Sequence, residues 1–162
     1  MRTIKRRRRE GKTDYKARLA LLKSRKPRIV VRKTNRYLIS QCVESKESRD
    51  RVIVGLTSKE LIKYGWENIG SLKSLPACYL TGILLGKRIK RKVKGEVILD
   101  TGLIRNVRKS RIYALLKGLV DSGVNVKSKE DIFPDEKRIK GEHLKNKIDF
   151  EKIKDKILKE NK

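Results

Sequence analysis

The sequence predicts an α/β fold with a mixed sheet, preceded by a basic arm and followed by a charged tail. Three observations predict it. Runs rich in β-branched residues come first, in "RIVVRKTNRYLISQCVES" and "RVIVGL", and stretches with helical periodicity come after them. Short strand-like segments then follow the two longest helical stretches, the order of an α/β sandwich. Of 162 residues, 37% are apolar, enough for one modest core.

Residues 1–27 form the arm. The stretch Met1 to Arg28 carries 13 basic and two acidic residues and has little apolar content before Tyr15. So much like charge predicts an arm that is disordered in isolation and ordered by a polyanion. Thr13 is placed to cap a short helix in which Tyr15, Leu19 and Leu22 make one apolar stripe, able to anchor the arm to the body, until Pro27 stops it. Residues 28–126 form the α/β domain. Its first two strands make a hairpin around Lys33-Thr34-Asn35, with Asn35 suited to a positive φ. "RVIVGL", residues 51–56, is a third strand, and the continuous "IVV" and "VIV" runs predict helices on both faces of the sheet.

Helices follow in sequence. Thr57 and Glu60 have the spacing of a capping box for a short helix ending near Gly65. Ser74 caps a longer one with Pro76 in its first turn. "GEVILD" is a fourth strand. Next, Ile112, Leu115, Leu116, Leu119 and Val120 form one helical stripe that Gly123 terminates, and "VNV" is a brief fifth strand. Residues 127–162 turn polar, with a weak stripe of Phe150, Ile153 and Ile157, and are expected to form a partly ordered tail. No internal repeat is present.

Charge narrows the function. There are 45 Lys and Arg against 19 Asp and Glu, a net charge of +26. Such a chain repels itself unless polyanions surround it, and its basic clusters recur along the whole length rather than on one amphipathic helix. That favours nucleic acid over a membrane surface. Cys42 and Cys78 lie far apart in apolar stretches and read as buried thiols. His143 is the lone histidine, so zinc and Cys-His or Ser-His chemistry lack partners. No run reaches the ~18 apolar residues of a membrane helix, and a cytosolic protein is expected. No cofactor or metal is called for.

Two motifs deserve a test. "DTG" at Asp100 resembles an aspartic-protease triplet, but such enzymes need two carboxylates sharing a proton. Here there is one triplet, followed by four basic residues between Arg105 and Arg111. The expected role is a strand-end acceptor of backbone hydrogen bonds, with Gly102 turning the chain, at a cost of about 1 kcal/mol if replaced by Asn. The strand order is also that of ribonuclease H-like three-layer folds, here with five strands. Their metal-binding carboxylate should lie on the first strand, which carries Arg and Lys instead. Gly82-x-x-x-Gly86 indicates close packing of its helix on the sheet.

Several basic runs in one small protein point to phosphate contact. Six of the eight residues from Lys87 to Lys94 are basic. Candidate RNA-contacting residues are, in the arm, Arg6, Arg7, Arg8, Arg9, Tyr15, Arg18, Lys23, Arg25 and Lys26. Arg28, Arg32, Lys33, Asn35, Arg36 and Tyr37 add the hairpin. Lys87, Arg88 and Arg91 add a helix end, and Arg105, Arg108, Lys109 and Arg111 a loop. Only 5% of residues are aromatic, too few for a base-stacking platform.

"RRRREGKTDYKARLALLKSRKPRIVVRKTNRYLISQ", "YGW", "LPACYLTGILLGKRI", "EVILDTGL" and "RIKGEH" together resemble large-subunit ribosomal protein eighteen of the archaeal type, in order along nearly the whole chain. The resemblance implies a non-catalytic ribonuclease H-like domain that binds 5S rRNA. It also implies a place in the central protuberance beside ribosomal protein five and large-subunit (23S) rRNA. The competing expectations are a nonspecific nucleic-acid-binding protein and, further off, a hydrolase built on Asp100.

Overall fold

The structure, a computed structural model, describes residues 3–47, 49–67, 72–144 and 149–159. Two helices open it, α1 (Arg6–Arg9) and α2 (Tyr15–Lys23), followed by strands β1 (Arg28–Lys33), β2 (Leu38–Lys46) and β3 (Arg49–Thr57). A 3-10 helix (Ser58–Tyr64), α3 (Leu75–Lys92), β4 (Ile98–Asp100), α4 (Arg111–Asp121), a short 3-10 turn (Glu130–Ile132), α5 (Glu136–Lys140) and α6 (Phe150–Lys159) complete the order. The sheet runs β3-β2-β1-β4, antiparallel except for the β1–β4 pair, which is parallel. A mixed α/β architecture is therefore correct. The expected fifth strand is reduced to a single parallel bridge, Val97 to Val126, with Asn125 O accepting from Val97 N at 2.9 Å. Three residues between Gly123 and Lys127, set against a three-residue β4, are too short to continue the ladder.

Alternation governs the strands. Ile29 and Val31 of β1, Leu38, Ser40 and Cys42 of β2, and Val54 and Leu56 of β3 are buried. Helix α3 packs on β2 and β3, and α4 packs on α3. The opposite face is covered only in part where the apolar runs implied helices: Val43, paired with Arg28, is buried, Val30 is half-buried and Val52 is exposed. The runs are continuous because β-branched residues suit a half-exposed strand as well as a buried one.

Local chemistry sets the boundaries. Asp14, not Thr13, caps α2, accepting from Lys16 N at 2.9 Å and Ala17 N at 3.1 Å, while Thr13 accepts from Arg7. Helix α2 buries no residue and Leu19 is exposed, so its apolar stripe does not anchor the arm. The hairpin loop is closed by Thr34, whose N–H and hydroxyl both donate to Tyr37 O, and Asn35 does not take a positive φ. The capping box at Thr57 does not form, because Glu60 is held by Arg88 at 2.8 Å. Ser74 caps α3 and Gly123, at φ 86°, follows α4, as the sequence indicates.

The C-terminal segment is a correction. Phe150, Ile153 and Ile157 are buried, and α6 packs on α3 and the 3-10 helix, while α5 buries Ile139 against α3. Each buried side chain of this size contributes about 1.5–3 kcal/mol, which offsets the entropy of ordering a polar segment. Lys87 reaches across and donates to the carbonyls of Ile157 and Leu158 at 2.8 and 2.6 Å, closing the C-terminal end of α6. The segment read as a tail is thus folded against the body along residues 149–159.

Helices α3 and α4 meet through glycines. A Cβ on Gly82 would collide with the Leu115 carbonyl oxygen, and one on Gly118 would collide with the Tyr79 carbonyl oxygen. Gly82 and Gly86 therefore serve a helix–helix contact rather than packing on the sheet. Tyr79 Oη donates to Asp121 at 2.7 Å across the same contact. Replacing Gly82 with Ala should force backbone apart from backbone and lower stability by about 2 to 3 kcal/mol. Chemical denaturation checks this; an unchanged midpoint would show that the helices separate at no cost.

Candidate nucleic-acid interface

A row of alternating charges crosses the half-open face of the sheet. Arg28 and Arg32, four apart on β1, share that face with Asp100, which pairs beside Val30. Arg28 is 2% exposed. Its guanidinium donates to Asp100 Oδ2 at 3.1 Å, Asp50 Oδ1 at 3.0 Å and Ser45 Oγ at 2.9 Å. Arg32 donates to Asp100 Oδ1 at 3.1 Å and to Asp100 O at 2.9 Å. At the other end Arg18 of α2 pairs with Asp50 at 2.8 Å. Arg18, Asp50, Arg28, Asp100 and Arg32 thus form one continuous chain of ion pairs.

This settles Asp100. Its carboxylate also accepts from Gly102 N at 2.9 Å, the strand-end role expected for it, and two guanidinium groups occupy its oxygens. Gly102 has φ 63°, a backbone conformation that favours glycine, and a Cβ there would sit 2.9 Å from Arg32 Cζ, so a side chain would push the Arg32 guanidinium away from its partners. Among the described residues no three His, Cys, Asp or Glu side chains gather as metal ligands would. Cys42 and Cys78 are both buried free thiols, pushed up to about 11 and about 12 by burial.

The candidate cations sort by what they already hold. Arg28 is turned inward and has no face for phosphate. Arg18 and Arg32 belong to the ion row, Lys26 pairs with Glu96 at 2.6 Å, Arg88 with Glu60, and Lys87 closes α6. Arg108 and Lys109 pair with Asp131 and Asp135 at 3.3 and 2.9 Å, and Arg6 with Glu10 at 3.3 Å, all at the surface, where such pairs contribute little and exchange readily. Arg8, Arg9, Lys23, Arg25, Arg36, Arg91, Arg105 and Arg111 are exposed and, among the described residues, pair with no acid; Lys33 and Asn35 are exposed as well. Tyr15 lies under Lys5 and Tyr37 under Lys59, at 4.7 and 4.4 Å from the ring centres, so both rings are engaged by cations.

Two cavities bring distant cations together. One, of about 930 Å³, lies between α2 and the end of β4 and is lined by Arg7, Lys12, Arg18, Arg32 and Lys33 together with Asp14 and Asp100. The second, of about 580 Å³, is lined by Lys33, Arg105, Lys109, Arg111, Arg138 and His143 and, among the described residues, by no acid. Lys33 borders both. Arm, hairpin and the 104–111 loop, far apart in sequence, therefore converge at one end of the sheet. Lys12, Arg138 and His143 were missed as candidates; isolated in sequence, they gain significance only from these neighbours. Arg91 lines neither cavity.

Buried charges spent on one another, with unpaired cations turned outward, define a structural protein that presents a cationic surface. The family described as ribosomal large subunit proteins 60S L5 and 50S L18 matches residues 1–97. The chain is 56% identical over 139 residues to large ribosomal subunit protein uL18 of Korarchaeum cryptofilum, covering 86% of this chain and 70% of that one. It is 45% identical over 159 residues to uL18 of Methanothrix thermoacetophila, covering 94% and 93%. The match to uL18 of Methanoculleus marisnigri is 50% over 139 residues, covering 86% and 78%. The chain belongs to this family of large-subunit ribosomal proteins, structural components of a particle rather than enzymes.

Two outcomes follow from the ion row. Asp100→Asn leaves Arg28 short of a buried charge partner, so the cost is nearer 3 kcal/mol than the single-hydrogen-bond value, a fall in melting temperature of roughly 6 to 12 °C. A fall below that range would mean Asp50 alone suffices for Arg28. Burial pushes the Asp50 carboxyl up, but the Ser45 hydroxyl and the Arg18 and Arg28 guanidinium groups outweigh it and hold it below its ordinary value. A carboxyl depressed on folding stabilises fully above its unfolded value, about 3.9, and loses that contribution as pH falls through the lower folded value. Stability measured from pH 6 down to pH 2 should therefore decline less steeply in Asp50→Asn than in the parent; parallel curves would contradict this.

Proposed function

We propose that this chain binds 5S rRNA and fastens it to large-subunit rRNA in the central protuberance, beside ribosomal protein five of the large subunit. The observation that carries the reading is the convergence of three basic segments around Lys33. Phosphates of one folded RNA can be met there by the arm, the hairpin and the 104–111 loop at once, and each neutralised phosphate releases counterions. As a large-subunit protein it works in the cytoplasm, where that particle functions. We read the scaffold as ribonuclease H-like, its strand order kept and its first-strand carboxylate replaced by Arg28 and Arg32. Phosphate contacts position an RNA without reading its sequence, so discrimination of 5S rRNA rests on its shape and on unpaired bases.

The hairpin and arm supply the tests. Arg36→Ala removes an exposed cation with no acid partner, so 5S rRNA affinity should fall while the melting temperature stays unchanged. Arg32→Ala should lower the melting temperature as well, because it releases Asp100. Equal RNA affinity for parent and Arg36→Ala would remove the hairpin tip from the interface. Deleting residues 1–12 should leave the body folded and flatten the salt dependence of 5S rRNA binding by a slope of roughly 3, if all four arginines meet phosphates at about 0.7 to 0.9 each. An unchanged slope would free the arm for large-subunit rRNA instead. Competition with duplex DNA at physiological salt separates this function from nonspecific binding.

A further inference from the structure

We infer that the acid-free cavity beside Lys33 is a nucleotide pocket that receives one unpaired, extruded base of the bound RNA together with its phosphate. The inference rests on the RNA binding proposed above and specifies how one part of that surface is used. Two cavities share Lys33, and their chemistry differs. In the larger one Arg18 and Arg32 are already neutralised by Asp50 and Asp100. In the smaller one Arg105 and Arg111 pair with no acid among the described residues, and no carboxylate lines the wall. An anion entering there displaces no existing partner of either arginine.

The interior of the cavity is not polar. Ile104, Val107 and Leu144 line it between the cations, and Val107 is 51% exposed although it is a β-branched residue in a loop of charged neighbours. A cationic rim around aliphatic side chains fits a ligand with one charged end and one flat, weakly hydrated end. A nucleotide has that form. The volume of about 580 Å³ falls within the range of small-molecule sites. Inorganic phosphate would leave the aliphatic side chains exposed, and a paired duplex could offer the cavity only its backbone. Proteins that recognise RNA sequence take hold of unpaired bases in loops and bulges and stack them on aromatic rings or guanidinium planes. Here the ring on the wall is the His143 imidazole, and with the planes of Arg105 and Arg111 and the branched face of Val107 it performs that role.

The full chain should be titrated with two RNA hairpins of equal length, one fully paired and one carrying a single bulged 2-aminopurine, whose fluorescence reports burial of the base. The bulged hairpin should bind about tenfold more tightly, with a change in fluorescence, the scale set by the stacking of one base. Val107→Asp, at an exposed position with little effect on folding, should abolish both the preference and the fluorescence change. Lys129→Ala, which changes the charge by the same unit outside the cavity, should keep both. Equal affinity for the two hairpins, or a bulge preference retained in Val107→Asp, would overturn the pocket. Titration with 5S rRNA separates the two claims: if the parent binds it no better than duplex DNA, the proposed function fails. If it binds 5S rRNA selectively but shows no preference for the bulge, only the pocket fails.

Discussion

The chain of ion pairs from Arg18 through Asp50, Arg28 and Asp100 to Arg32 is the constraint on which the geometry of this protein depends. Strand β4 is only three residues long and pairs in parallel with β1, so its backbone ladder alone is a weak determinant of position. Asp100 supplies what the ladder lacks. Held by one guanidinium from the buried start of β1 and another from its exposed end, it can occupy one register and no other. A buried pair of this kind adds little over a well-packed apolar core, but any arrangement that separates its members strands a charge away from water. The row therefore works by making alternatives expensive.

The same row connects the arm to the body. Helix α2 buries no side chain, so its apolar stripe does not hold it, and Arg18 on Asp50 is the charged contact that ties it to the start of β3. A surface ion pair is weak and sensitive to salt. An arm tethered in this way keeps an approximate position while leaving Arg8 and Arg9 turned to solvent, a suitable state for a segment whose proposed partner is a polyanion. On the far side of the sheet the contact is rigid, because the glycine-mediated approach of α3 to α4 brings backbone against backbone. The 104–111 loop enters α4 directly, so its cations are carried on the stiffer half of the molecule.

The cationic character of the surface is legible in the sequence. Runs of like charge in a small chain with few acids indicate a polyanion partner because nothing inside the protein could neutralise them. What could not be read was which cations remain free. Arg28 and Arg36 look equivalent in sequence, each a basic residue next to a β-rich run. One lies nearly inaccessible on three acceptors and the other is exposed at a hairpin tip. Lys87 and Arg88 sit in a dense basic run, yet one closes a helix from seventy residues away and the other holds Glu60. A single signal was available: Arg28 and Arg32 share a strand face at a spacing of four, a hint that one acid could serve both.

By itself the sequence determined the order of elements from α2 to α4, the caps at Ser74 and Gly123, the buried thiols and the sign of the surface, because each depends on short-range stereochemistry or on composition. Tertiary structure alone decided that Gly82 meets Gly118 rather than the sheet, that "VNV" contributes a bridge rather than a strand, and that the C-terminal stripe of Phe150, Ile153 and Ile157 belongs to the core. It also decided that Lys33, Arg105, Arg111 and Arg138 line one cavity. The reason is common to all four. Whether an apolar stripe is buried, a glycine is crowded or a cation is neutralised depends on which distant surface arrives beside it, and that is a property of packing across the fold that no local pattern encodes.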